Sequence, residues 1–214
     1  MVMNSSNRLT ADDWAKAALD VIATAGVDQV TIEGLGRDLG VTKGSFYWHF
    51  VNRQALITAA LDLWERRATV EVIEQLMKIV NPVARLRVLF EISLGDAVDG
   101  PLDAALVAAV NDPVVGVTVR SVTRRRIEFL EQLFTDMALS ASEAGIRARI
   151  AYSAYVGHFL VSRALDDAVD LDGFLNGYID QLVASLAADS PASAAGDGSA
   201  VGFADDRAGQ KDRR

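Results

Sequence analysis

The chain has 214 residues, 50% of them hydrophobic and 23% charged, and a net charge of −8. That balance fits a protein that folds around its own core in one or two domains, and it excludes one that coats nucleic acid by bulk positive charge. There is no cysteine and only two histidines, His49 and His158. Disulfides, thiolate metal sites and cysteine nucleophiles are therefore excluded, a multi-histidine metal site is disfavoured, and no cofactor is expected. The first residues show no basic start followed by an apolar run, and no uncharged apolar stretch approaches the ~20 residues that cross a bilayer. The expected setting is cytoplasmic, without a membrane partner.

Apolar residues recur at helical spacing nearly everywhere, so the expected fold is all-α. Thr10 and Asp13 form the start of a first helix carrying Trp14, Ala17, Ala18, Val21, Ile22 and Ala25, closed by Gly26. Thr31 caps a short second helix with Ile32, Leu35 and Leu39 inward, and Gly40 ends it. Thr42 caps a third short helix reaching about Phe50. A long helix is expected from about Asn52 to Val80, followed by helices at roughly 83–98, 101–111, 114–139, 142–165 and 170–188, with breaks at Pro82, Pro101 and Pro113. From Asp189 the chain is rich in Ala, Ser, Gly and Asp and is expected to be disordered. The expected division is 1–53, 54–188 and a tail at 189–214.

Residues 41–50, VTKGSFYWHF, place three aromatic rings and a histidine in a row with a further ring at Phe50. A helix has one buried face, so they divide. Phe46 and Phe50 are four apart and dock inward, while Gly44 and Trp48 point the other way, flanked by Ser45 and Tyr47. Residues 31–50 read helix, Gly-containing turn, helix, the arrangement whose second helix enters the major groove of double-stranded DNA. Tyr47 can offer a hydroxyl to phosphate, Lys43 and Ser45 can reach base edges or phosphates, and Gly44 lets the helix approach closely. Arg53 opens the next helix, where a phosphate is favoured. The first 55 residues hold five basic and six acidic side chains, so any DNA contact comes from placement and not from excess charge.

The stretch TIEGLGRDLGVTKGSFYWHFVNRQAL, with the helix before it, resembles the TetR family of bacterial transcriptional regulators. The shared features are Thr31, Leu35, Leu39, Gly40-Val41, then Gly44 to Phe50, Asn52-Arg53 and Ala55-Leu56. The resemblance is specific over about residues 10–60. It implies a three-helix DNA-binding domain followed by a helical domain for ligand binding and dimerisation. It implies a homodimeric, ligand-responsive regulator, usually a repressor, with a palindromic operator and a small-molecule effector as partners. It also implies backbone contact by Tyr47, a phosphate clamp at Arg53 and phosphate contacts at Thr31 and Thr42, with Trp48 and His49 in the same DNA-facing set. Arg53 stands where Lys is usual. Glu33 stands where some members carry a basic base-reading residue, and its role is open. A helical interaction module without DNA binding and an enzyme in the C-terminal bundle also remain open.

Further along, Trp64, Phe90, Phe129, Tyr155 and Phe159 are candidates to line an apolar ligand pocket. Ala151, Ala154, Gly157 and Val161 give one helix a small-residue face, and Leu171, Leu175, Tyr178, Leu182 and Leu186 form a stripe on the last. Two such hairpins related by a two-fold axis would form a four-helix interface. GLGRDLG at 34–40 resembles a dinucleotide loop, but its third glycine is displaced and no strand precedes it. His158 reads as a packed or interface histidine. The run Arg124–Arg126 reads as a solvated face paired with Glu128 and Glu131.

Overall fold

The computed structural model describes residues 9–95, 99–165 and 171–188, and among them every regular element is helical. The tail at 189–214 and the side chain of Leu171 lie outside the described residues. Helix α1 (Ala11–Ala25) opens with a reciprocal cap: Asp13 N donates to Thr10 Oγ1 at 3.2 Å and Thr10 N to the Asp13 carboxylate at 2.8 Å. It ends at Gly26, whose φ of 92° suits glycine. Helix α2 (Ile32–Asp38) is capped by Thr31 through Gly34 N at 3.1 Å. The chain turns at Gly40, φ 68°, into α3.

Helix α3 is shorter than its sequence pattern. Regular α-helix covers Lys43–Phe46, and turns carry the bonding on to Phe50 N, which reaches Phe46 O at 3.0 Å. Thr42 holds the N-cap position with extended backbone, but its side chain makes no cap bond. The expected single helix to Val80 is also modified. Helix α4 (Arg53–Glu65) passes through one wide π turn, Arg66–Val70, into α5 (Glu71–Leu76). Such a turn carries an extra residue and is a frequent mark of functional sites.

The remaining helices are α6 (Pro82–Gly95), α7 (Asp99–Ala108), α8 (Val115–Asp136), α9 (Ala141–Leu165) and α10 (Leu171–Ala187). Pro101 does not break the chain as expected. It sits in the first turn of α7, where a missing N–H is tolerated. Arg147 closes the far end of α10 by donating to the carbonyls of Leu186 and Ala188 at 2.7 and 2.6 Å.

Two cores form. Trp14, Ile22, Leu35, Phe46, Leu56 and Leu61 fill the first, which continues into Leu102 and Leu106 of α7 and Val115, Val119 and Val122 of α8. The second lies among α6, the latter half of α8, α9 and α10. Helix α8 therefore takes part in both, and the N-terminal helices rest on the body by apolar packing as well as through α4.

Candidate nucleic-acid interface

The rings of α3 and of the turns that follow it divide as their spacing requires. Phe46 is fully buried and packs edge-on against Trp14 of α1 at 5.3 Å between centroids; Phe50 is 8% exposed and lies beside Phe46. Tyr47 and Trp48 are 54% and 79% exposed. His49 is half-buried near Phe50, and Ser45 is half-buried. Thr31, Thr42, Lys43 and Gly44 are exposed around them. A Cβ built on Gly44 would meet only Thr42 Oγ1, at an ordinary 3.6 Å, so nothing inside the protein demands glycine there. At Gly36 the reverse holds, since a Cβ would press to 3.2 Å on the carbonyl of Val41.

Arg53 is tied back into the protein. Its Nε donates to Val30 O at 2.6 Å and an Nη to Val27 O at 2.5 Å. The start of α4 is thus anchored to the loop ahead of α2, and the other guanidinium N–H groups remain for a phosphate. Lys43 Nζ lies 2.5 Å from the Glu33 carboxylate, joining α3 to α2 on the exposed side. That hydrogen bond pulls the Glu33 carboxyl below its ordinary value and raises Lys43, so both are charged at neutral pH. Sequence reading placed both residues near DNA without pairing them, because the contact depends on the angle of the turn.

In the body a cavity of about 60 Å³ opens between the π turn, α5, α6, α8 and α9. Phe90, Phe129 and Tyr155 are on its wall, with Thr69, Arg126 and Tyr152. Trp64 and Phe159 are not. Trp64 is buried, giving its indole N–H to Asp103, and Phe159 lies over Gly100, where a Cβ would fall 2.0 Å from its ring. Of the arginine run, Arg124 and Arg125 are solvated as expected, but Arg126 is not, and the ion pairs formed are with Glu65 and Asp103 in place of Glu128 and Glu131. Arg125 pairs with Glu65 at 3.0 Å, and Arg126 is drawn inside to Asp103. Burial works against the Arg126 charge, but Asp103 beside it restores it and raises its pKa further. Burial pushes the Tyr155 hydroxyl well up, so it stays protonated and donates to Asp103 at 2.6 Å.

On α9 and α10, Ala154, Gly157, Leu175, Tyr178 and Leu182 are half-buried and Val161 is exposed. His158 stacks on Tyr178 at 5.4 Å, Tyr178 on Phe174 at 5.8 Å, and burial lowers the His158 pKa.

Residues 15–60, from α1 into α4, match the family described as bacterial regulatory proteins, tetR family. The helices from α1 into α4 thus carry the TetR-family signature. Over 52 residues it is 46% identical to the tetracycline repressor protein class A from transposon 1721 of Escherichia coli, a match spanning 24% of each chain. Solved structures match the fold of the body as well. A TetR-family transcriptional regulator from Agrobacterium tumefaciens superposes with a TM-score of 0.68 at 21% identity, covering 80% of this chain and 96% of that one. AibR, solved in complex with isovaleryl coenzyme A and operator DNA, gives 0.63 at 15% identity over 82% and 96%. Among the described residues, no helix is long and apolar enough to cross a membrane.

Proposed function

We propose that the protein is a cytoplasmic DNA-binding transcriptional regulator, acting as a repressor, that grips a palindromic operator as a homodimer and releases it when a small molecule enters its body. The observation that carries this reading is the division of the aromatics on α3. Phe46 packs on Trp14 of α1 with Phe50 beside it, while Tyr47, touching Phe46 edge-on, and Trp48 leave more than half of their surface in solvent beside Lys43 and Gly44. A major groove admits such a helix, and these side chains offer it phosphate, sugar and base-edge contacts. Residues 1–53 are the DNA-reading unit and 54–188 the regulatory and dimerising unit.

The dimer is proposed to form from two α9–α10 hairpins. Gly157 and Gly177 have open space where a Cβ would stand, Val161 and Phe174 are more than half exposed, and the Phe174–Tyr178–His158 stack offers a flat apolar surface. Two copies related by a two-fold axis then present two α3 helices to inverted half-sites.

The effector is proposed to enter the cavity walled by Phe90, Phe129 and Tyr155. Its 60 Å³ is well below the ~150 Å³ that admits benzene. A ligand must therefore open it against α5 or α6, and α5 continues the rod that begins at Arg53. AibR, of the same fold, was solved with an acyl coenzyme A and operator DNA together, which supports seeking both partners here.

A gel-retardation titration on the DNA flanking the protein's own gene tests the reading. Binding of a discrete duplex that competitor DNA does not abolish is expected. Indiscriminate or absent binding contradicts it and leaves an interaction module or an enzyme as the reading to pursue.

A further inference from the structure

Glu33 is the second residue of α2 and Lys43 the first of α3. The turn at Gly40 brings their side chains together, carboxylate to ammonium at 2.5 Å, with both more than half exposed. Tyr47 is close enough to act on the Lys43 charge, so the pair belongs to the face that carries the exposed ring. An ion pair this exposed contributes little to stability. A carboxylate on a DNA-facing surface also repels phosphate, so Glu33 weakens binding to DNA at large.

We propose that Glu33 and Lys43 act together as a reader of one C·G base pair in each half-site. The inference rests on the reading of α3 as the helix that enters the groove. On its major-groove edge a G·C pair presents N7 and O6 of guanine, both acceptors, and then the N4 amine of cytosine, a donor. An ammonium beside a carboxylate matches that order: Lys43 gives protons to N7 and O6 while Glu33 accepts from N4. An A·T pair sets its only donor between two acceptors. There the carboxylate meets an oxygen or nitrogen lone pair on either side, and the thymine methyl crowds it. The ion pair also holds each partner in place before DNA arrives, so less side-chain freedom is lost on binding.

The consequence is a trade of affinity for discrimination. Without Glu33, Lys43 is an unopposed cation that binds any phosphate. With Glu33, the approach is favourable only where an amine meets the carboxylate.

The test selects random duplexes on the full chain and on Glu33→Ala, Glu33→Gln and Lys43→Ala, then measures affinity for the enriched and a scrambled duplex. All four proteins should melt together, since both side chains stand in solvent. The parent should enrich an inverted repeat with C·G at one symmetry-related position. Glu33→Ala should lose about tenfold to a hundredfold of its discrimination at that position alone, and bind scrambled duplex more tightly than the parent. Glu33→Gln, which keeps an acceptor but not the charge, should retain part of the preference. Lys43→Ala should relax the same position and weaken binding throughout. Every positional preference surviving in Glu33→Ala, or relaxation falling on an A·T position, overturns the inference and leaves the DNA-binding function standing. A parent that enriches no site removes that function, and this inference with it.

Discussion

Arg126 on α8 and Asp103 on α7 form an ion pair inside the protein, and Trp64 of α4 is joined to both. The Trp64 ring lies 5.3 Å from the guanidinium, and its N–H goes to the carboxylate that also accepts from Tyr155 of α9. The other edges of the guanidinium donate to Thr69 Oγ1 at 2.8 Å and Ala68 O at 2.9 Å, within the π turn. One arginine therefore connects the rod leading to the DNA-binding helices with the body of the molecule, and it does so at the wall of the cavity.

Removing Asp103 alone leaves that cation buried and unpaired. Asp103→Ala should cost about 3–5 kcal/mol in urea unfolding, whereas replacing both partners, Asp103→Leu with Arg126→Met, should recover much of the loss. A loss below about 1 kcal/mol in the single variant would mean that the pair is open to water.

The parts legible in the sequence were those set by local spacing. Phe46 and Phe50 share a helix face whatever lies around them, and the caps at Thr10 and Thr31 follow from residue type and position. What was not legible depends on distant chain segments. Of the three arginines at 124–126, Arg126 alone continues the stripe of Val119, Val122, Leu130 and Leu133 on α8, a helical spacing that the sequence carries, whereas its partner Asp103 arrives on α7 and is not legible there. The π turn has no sequence signature of its own, because Arg66–Val70 fits an ordinary helix equally well and the bonds from Arg126 reach it from 57 and 58 residues away. Trp64 was read as pocket wall because its ring is large and apolar, yet its indole N–H found a buried carboxylate.

Ala138 closes α8 at φ 64°, a left-handed conformation that suits glycine, while Leu139 N bonds back to Phe134 O at 3.3 Å. A residue with a Cβ is strained there by about 1–2 kcal/mol, and glycine returns part of that gain as chain entropy. Ala138→Gly should therefore raise stability by about 0.5–1 kcal/mol by thermal or urea unfolding. A loss would show that the helix end gains more from a restricted unfolded chain.

Arg53 has a structural role apart from any phosphate. Arg53→Ala removes donors to Val27 O and Val30 O and should lower stability by about 1–3 kcal/mol. It should also flatten the salt dependence of DNA binding by about one unit of slope. An unchanged slope with lowered stability would confine Arg53 to anchoring α4.

Val161 is exposed and belongs to no core of its own chain. Val161→Glu should leave the subunit folded by circular dichroism and shift sedimentation from dimer to monomer, since two like charges would meet across the two-fold axis. A dimer that survives would move the interface away from this end of α9.

The most direct measurement is the affinity of the parent and of Tyr47→Ala for one enriched duplex, by fluorescence anisotropy at fixed salt, with both proteins shown to melt alike. Tyr47 is 54% exposed and its ring touches Phe46 edge-on. If α3 enters the groove, the variant should bind at least about tenfold more weakly, the scale of one lost contact to DNA. Equal affinity in the two proteins would show that Tyr47, in the turn after α3, is not what meets DNA.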